Sequence, residues 1–376
     1  MPNQPKTPRL PTPSKPAFIV SRGRAIRSIV VFRALQLGDM LCAVPTLRAL
    51  RLGFPRARIT LIGLPWAEQF AARFHRYVDV FAAFPGHPDL PEQPVRGEAA
   101  DGFFENMRAC RFDLAVQLHG NGLVSNSIVE ALGAAHSVGF RPADEASGGA
   151  AANALNYIAY PTVGHEAVRL LALAQHLGLP DAGMRLEFPL READYAELDA
   201  SGLEPGLTPG AYICVHPGAR SRDKCWPAQH FAEVADRLAD ETGLAVVLTG
   251  SEKERDMTAA VAARMRHTPV DAAAPISIGA MAALMSRARL LVCNDTGVSH
   301  IADGLGLPSV VIFSRSEMAR WAPIDTSLHA SIWDPEGRSV SAVLQHARRL
   351  LTVDTRAADA ATQRQALHSD SFFGVP

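Results

Sequence analysis

Four short stretches of the 376-residue chain carry side chains able to do chemistry, each shortly after an apolar run. Asn294-Asp295-Thr296-Gly297 follows the run Leu290 to Cys293 and opens a segment that holds His300. At a helix start, the N–H groups of Thr296, Gly297 and Val298 suit a phosphate, and His300 on the first turn can reach the same anion. The plainer reading is an Asp or Thr cap on an ordinary helix. His216 to Pro227 (HPGARSRDKCWP) leads a strand into a Gly-containing loop with three cations, Arg220, Arg222 and Lys224. Such cations can neutralise a departing diphosphate without a metal, and a solvated basic loop is the alternative. In Leu37-Gly38-Asp39, Gly38 permits a tight strand-to-helix turn. Asp39 is then either a helix N-cap or a general base or acceptor-orienting group. Thr249-Gly250-Ser251-Glu252 is the weakest of the four, a strand-end turn whose carboxylate can bond ribose hydroxyls.

The elements that must position these residues alternate strand and helix. Ser28 to Arg33 reads as a first buried strand, Ala34 to Asp39 as a turn, Met40 to about Leu52 as a helix, and Arg58 to Gly63 as the next strand. Helices over Trp66 to Phe74 and Phe103 to Cys110 and strands over Tyr77 to Phe84 and Phe112 to Leu118 continue the pattern. The last of these strands ends in the polar turn His119-Gly120-Asn121-Gly122. A helix from Ser125 to Leu132, a strand near Ser137 to Phe140, a mobile loop over Arg141 to Asn153 and a helix from Glu166 to Leu177 complete the first half. Asp181 to Gly210, broken by Pro189, Pro205 and Pro209, reads as a passage between halves. The alternation restarts at Tyr212 to His216 and runs through Gln229 to Glu241, Ala245 to Thr249, Glu254 to Met265 and Ala280 to Ser286. It then reaches Leu290 to Cys293, Val298 to Gly306 and Ser309 to Phe313, and closes with an amphipathic helix over Val340 to Leu351. Two such halves argue for two Rossmann-like domains facing across a cleft.

Composition bounds the rest. Nearly half the residues are apolar, enough for two sizeable cores. No apolar run reaches the length of a membrane helix, and no secretory signal is visible. Five scattered cysteines, Cys42, Cys110, Cys214, Cys225 and Cys293, suggest reduced thiols of a cytoplasmic protein. Net charge is −1, yet residues 1–60 hold eleven Lys and Arg against the single acid Asp39. That asymmetry suggests an anionic partner, a phosphorylated substrate or a membrane surface, with a solvated basic tail as the alternative. No basic run interleaved with aromatics points to nucleic acid. Met1 to Lys15, rich in Pro, reads as disordered. The absence of an Asp-x-Asp pair speaks against a carboxylate-held metal. The missing GxGxxG fingerprint speaks against hydride transfer on a nicotinamide.

Taken together, LGDMLCAVPTLRALR, HPGARSRDKCWPAQHF, TGSEKE and NDTGVSHIADGLGLPSVVIF resemble glycosyltransferase family 9, over about Ser28 to Leu351. These are the ADP-heptose:lipopolysaccharide heptosyltransferases and their relatives. The resemblance implies a GT-B fold with a tail over 1–25, an acceptor-binding domain over 26–190 and a nucleotide-sugar domain over 191–340. It leaves a segment over 341–376 whose helix crosses back to the first domain. It also implies inverting transfer by direct displacement, with no cofactor and no metal, of heptose from ADP-heptose onto a lipopolysaccharide core or another phosphorylated surface glycan. By position, Asp39 resembles the family's catalytic carboxylate and Lys224 its diphosphate-binding lysine. Asp295, Thr296, Gly297 and His300 resemble the donor-binding turn, with Asp295 toward the sugar hydroxyls. Glu252 resembles the ribose-binding acid, Ile276 a residue near the base, and Ser221 lies in the loop where relatives place Ser or Thr ahead of the lysine. His119 and Asn121 sit on the loop expected to meet the acceptor. The implied location is cytoplasmic, with room for a peripheral contact at the inner face of the cytoplasmic membrane. A nucleotide-sugar epimerase, or a nucleotide-sugar binder without catalysis, would share much of this pattern.

Overall fold

The computed structural model describes residues 26–95, 97–144, 156–203 and 207–352. The tail expected over 1–25, most of the loop expected over Arg141 to Asn153, and the chain after 352 lie outside the described residues. The described chain divides into two compact units, 26–35 with 45–162 and 167–184, and 36–44 with 163–166 and 185–352. The expected border at residue 190 falls at 184/185, and two short stretches counted with the first domain group with the second unit.

In chain order the first half holds β1 (Ser28–Phe32), α1 (Leu37–Cys42), α2 (Val44–Gly53), β2 (Arg58–Gly63), α3 (Glu68–Arg73), β3 (Val80–Ala83), α4 (Gly97–Ala109), β4 (Leu114–Gln117), α5 (Ser125–Ala131), β5 (His136–Arg141), β6 (Tyr157–Ala159) and α6 (Glu166–His176). The six strands form a parallel sheet in the order β3-β2-β1-β4-β5-β6. β1 is central, with Val31 opposite both Leu61 and Val116. Ile29, Val30, Val31 and Phe32 are fully buried because helices cover both faces of a parallel sheet. Each such side chain contributes roughly 1.5–3 kcal/mol. The helix after β1 begins at Leu37 and not at Met40, which puts Gly38 and Asp39 inside its first turn. It also breaks at Ala43, because Pro45 has no N–H to give the Leu41 carbonyl and its ring crowds that carbonyl.

The second half holds α7 (Glu192–Ala200), β7 (Tyr212–His216), α8 (Ala228–Thr242), β8 (Ala245–Gly250), α9 (Arg255–Ala262), β9 (Val270–Ala273), α10 (Ile278–Ser286), β10 (Leu291–Asn294), α11 (Gly297–Leu305), β11 (Ser309–Phe313), α12 (Met318–Trp321), β12 (His329–Trp333) and α13 (Val340–Leu351). Its sheet, read from the other end, is β9-β8-β7-β10-β11-β12, again all parallel. Both units therefore repeat one dinucleotide-fold strand order, 3-2-1-4-5-6. The terminal helix does not cross back: Val343, Leu344, Ala347 and Leu350 are buried in the second unit's own core beside Phe231, Val310 and Ile312. Its apolar stripe fits the sheet face beneath α8, and nothing polar on that face opposes burial there.

Candidate functional site

In the second unit the chain leaves β7 toward β8 on one side and leaves β10 toward β11 on the other, so the ends of β7 and β10 form the topological switch point. Two of the four chemical stretches begin there. Asn294, fully buried, ties them together: its Oδ1 accepts the Trp226 N–H at 2.8 Å and its Nδ2 donates to the Pro217 carbonyl at 2.8 Å. The Trp226 indole N–H in turn donates to Asp334 Oδ2 at 2.7 Å, and the Ser314 hydroxyl donates to the Lys224 carbonyl at 3.0 Å. So fixed, the loop sets the Lys224 Nζ 3.6 Å from Asp295 Oδ2, with the carboxylate buried and the ammonium about one-third exposed.

Of the three cations expected to meet a diphosphate, Lys224 faces this turn beside Asp295, and Arg220 is exposed. Arg222 pairs instead with Asp256 Oδ2 at 2.5 Å, and that pair sits in solvent. The Ser221 hydroxyl donates to Asp223, where it steadies the short 3₁₀ turn Arg222–Lys224.

Thr296 is the N-cap of α11 in extended backbone, and its side chain makes no capping bond. Its carbonyl accepts the Ser299 N–H at 3.0 Å and the Ser299 hydroxyl at 2.7 Å. Among the described residues no acceptor takes the N–H groups of Thr296, Gly297 or Val298. They therefore stand open at the start of a nine-residue helix, where backbone donors of this kind can take an anion.

The start of α1 packs against the start of α11, through two glycines. A Cβ on Gly38 would lie 2.7 Å from His300 Cδ2 and 3.1 Å from its Nε2, and one on Gly297 would lie 3.2 Å from Leu37 Cδ2. This contact is why residues 36–44 group with the second unit, and it carries Asp39 there. The His300 ring is buried, with Cys42 Sγ 3.9 Å from its Nδ1 and the Trp321 ring edge-on at 6.2 Å between centroids. Burial pushes the His300 pKa down most, while the carboxylates of Asp295, Asp39 and Glu166 pull it partly back. Asp39, His300, Asp295, Lys224 and the open N–H groups thus come together in one unit.

In the turn after β8, Glu252 is exposed, whereas Glu254 accepts the Ser251 N–H at 2.8 Å and its hydroxyl at 2.7 Å. A Cβ on Gly218 would run into Glu254 Oε1, and Glu254 Oε1 lies 3.9 Å from His216 Nε2. Glu254, and not Glu252, is the carboxylate packed against the loop after β7. The spacing Ser251-x-x-Glu254 is the signal that could have found it, since a capping box turns its acid back toward the strand end. Burial pushes the His216 pKa down, opposed by Glu254 and by Thr249, whose hydroxyl is 3.2 Å from Nδ1. Ile276 is half-buried just ahead of Ser277, the N-cap of α10.

His119 and Asn121 belong to the first unit, at its own switch point between β1 and β4. Gln117 holds their loop, donating to the His119 carbonyl at 2.6 Å and to the Ser125 hydroxyl at 2.5 Å while accepting the Phe140 N–H at 3.0 Å. The buried His119 ring stacks on Phe32, accepts the Ala34 N–H on Nδ1 at 3.2 Å and places Nε2 3.8 Å from Glu92 Oε1. Desolvation, helped by the nearby Arg33 charge, pushes its pKa down to about 3, so the ring is neutral. Asn121 is exposed and accepts the Leu123 N–H at 3.2 Å.

Among the described residues, no group of three or more His, Cys, Asp or Glu side chains is placed to hold a metal ion, and no helix is long and apolar enough to cross a membrane. A family model described as glycosyltransferase family 9 (heptosyltransferase) matches residues 102–347. Lipopolysaccharide heptosyltransferase 2 of Escherichia coli K12 is 25% identical over 303 residues, which cover 77% of this chain and 83% of that protein. Among solved structures, a glycosyl transferase family 9 protein from Veillonella parvula superposes with a TM-score of 0.70 at 21% identity, over 86% of this chain and 97% of the other. The ADP-heptose LPS heptosyltransferase II of E. coli superposes with a TM-score of 0.66 at 21% identity, over 87% and 98%. At these identities the superpositions speak for the fold, two Rossmann-like units of the GT-B kind.

Proposed function

This chain belongs to glycosyltransferase family 9, and from that premise we propose that it moves heptose from ADP-heptose onto a lipopolysaccharide core acceptor. The acceptor hydroxyl oxygen attacks the anomeric carbon, the bond from that carbon to the diphosphate oxygen breaks, and Asp39 takes the hydroxyl proton. Lys224 and the N–H groups of Thr296, Gly297 and Val298 bind the charge that develops on the leaving diphosphate, a role such fixed donors fill without reorganising. Asp295, next to Lys224, is the acceptor for sugar hydroxyls, and His300 keeps the Asp39 turn against the donor turn. Transfer by direct displacement, with inversion and without a metal, is the form these residues support best. Glu254, and not Glu252, takes the ribose role, while Ile276 borders the base. His119 and Asn121 are proposed acceptor contacts on the first unit.

The observation that carries the reading is the meeting of Asp39, His300, Asp295 and Lys224 around an open helix start in one unit. A thermal-shift panel of nucleotides and nucleotide-sugars, with wild type beside Lys224→Ala, tests it. Stabilisation by ADP and ADP-sugars that weakens about 10- to 150-fold in affinity in the variant is expected for a charge-assisted bond of about 1.5–3 kcal/mol. Selective response to UDP, GDP or CMP forms would move the donor, and no response at all would sink the diphosphate site. The basic bias of residues 1–60 supports a phosphorylated glycolipid acceptor met at the inner face of the cytoplasmic membrane. Vesicle binding that ignores both anionic lipid and salt would contradict that part.

A further inference from the structure

We infer that Glu166 is a positioning residue for the reacting centre: paired with Arg320, it fixes Trp321 and His300 against the turn that carries Asp39 and sets the charge around them. The inference rests on the role proposed above for Asp39. Glu166 opens α6 yet groups with the second unit, and it is 1% exposed. A carboxylate that deep is costly unless it is paired. Arg320 supplies the pair, donating from Nε to Glu166 Oε2 at 2.8 Å, and remains about one-quarter exposed itself. The Arg320 guanidinium also lies over the Trp321 ring, 4.6 Å from its centroid. Trp321 then meets the His300 ring edge-on. One short helix, α12, thus joins a buried carboxylate to the imidazole that touches the Gly38-Asp39 turn.

The electrostatics agree with that geometry. Around His300 stand Asp39 and Cys42 from α1, Asp295 from the β10 turn with Lys224 beside it, and Glu166 with Arg320. α10, which also packs on α11, carries no titratable side chain. Lys224 stands beside Asp295, and Arg320 beside Glu166. Removing either half of the second pair changes the charge felt by His300, and the two halves change it in opposite directions.

The test is the pH profile of kcat at saturating donor and acceptor for wild type, Glu166→Gln, Glu166→Asp and Arg320→Gln, with Asp39→Asn as reference. The acid limb reports protonation at the reacting centre in the ternary complex. Glu166→Gln keeps a hydrogen-bond acceptor for Arg320 but loses the charge, so its acid limb is expected to move down by about one pH unit. Arg320→Gln removes the positive charge beside Glu166, and its limb is expected to move up. Glu166→Asp, which keeps the charge, is expected to hold the wild-type limb with a lower kcat and little change in KM. Limbs that superimpose for all variants, with losses only in thermal stability, would overturn the inference and leave a structural ion pair. If Glu166→Gln does not fold, the upward shift in Arg320→Gln decides alone. Wild-type turnover in Asp39→Asn would instead defeat the reading of Asp39, whatever the Glu166 variants do.

Discussion

Gly38→Ala is a one-methyl perturbation whose sign two opposing effects decide. Gly38 sits in the first turn of α1 without a left-handed φ, so alanine is allowed there by the backbone. In an open helix position the exchange would stabilise by at most about 1 kcal/mol. The new Cβ, however, would stand 2.7 Å from His300 Cδ2 and 3.7 Å from Gly297 Cα. Carbon atoms do not approach so closely, and the buried ring, enclosed by Cys42 and Trp321, has little room to retreat. Overpacking of this kind costs about 1–3 kcal/mol, which exceeds the helix gain. At roughly 2–4 °C per kcal/mol for domains of this size, thermal denaturation should show a fall of a few degrees. The consequence for turnover is larger, because α1 must shift to relieve the clash and Asp39 shifts with it. A displacement of about 1 Å at a reacting group costs on the order of 100-fold in kcat. Gly102→Ala is the control: it lies within α4, its nearest neighbour is Asn106 Nδ2 at 3.9 Å, and it should stabilise slightly without touching kcat. Should Gly38→Ala behave like Gly102→Ala in both assays, α1 and α11 do not meet through these glycines.

Asn294→Asp would turn a carboxylate oxygen toward the Pro217 and Gly218 carbonyls in a fully buried position. A loss of at least about 2–3 kcal/mol in denaturant unfolding is expected, with weaker ADP binding as the 217–226 loop loosens; unchanged stability would refute the staple. His119, neutral down to about pH 3 in the folded protein, takes up a proton near its ordinary value of 6.5 when the chain unfolds. Its contribution is therefore complete above pH 6.5 and is lost as pH falls from 6.5 toward 3, at about 1.4 kcal/mol per pH unit. His119→Gln should remove one proton's worth of slope from stability measured across that window, and an identical slope would show that His119 is not buried neutral.

Much of this fold can be read from the sequence because buried central strands of a parallel sheet are short apolar runs. β1, β2, β4, β7, β8, β10 and β11 all announce themselves that way. β6, β9 and β12 do not, because each is a sheet edge with mixed composition, as in Val-Asp-Ala-Ala over Val270–Ala273. α7 lies hidden in the expected passage because only Leu198 and Asp194 on it are buried, and its anchor is Glu197 binding Ser277 by side chain. The chemical stretches were legible as turns at strand ends. Their mutual arrangement was not, since the Gly38–His300 approach joins residues far apart in sequence. The commitment of Arg222 to Asp256 and the packing of Glu254, not Glu252, against the loop after β7 depend likewise on which way a side chain turns within a loop.

The most direct measurement is release of ADP from ADP-heptose with and without a lipopolysaccharide core acceptor, for wild type and Asp39→Asn. With Asp39 as the base, release should depend on acceptor in the wild type. It should fall by about 10²- to 10⁴-fold in the variant while ADP affinity stays the same. Donor turnover that ignores the acceptor, or an Asp39→Asn variant as fast as wild type, would contradict a transferase in which Asp39 takes the proton.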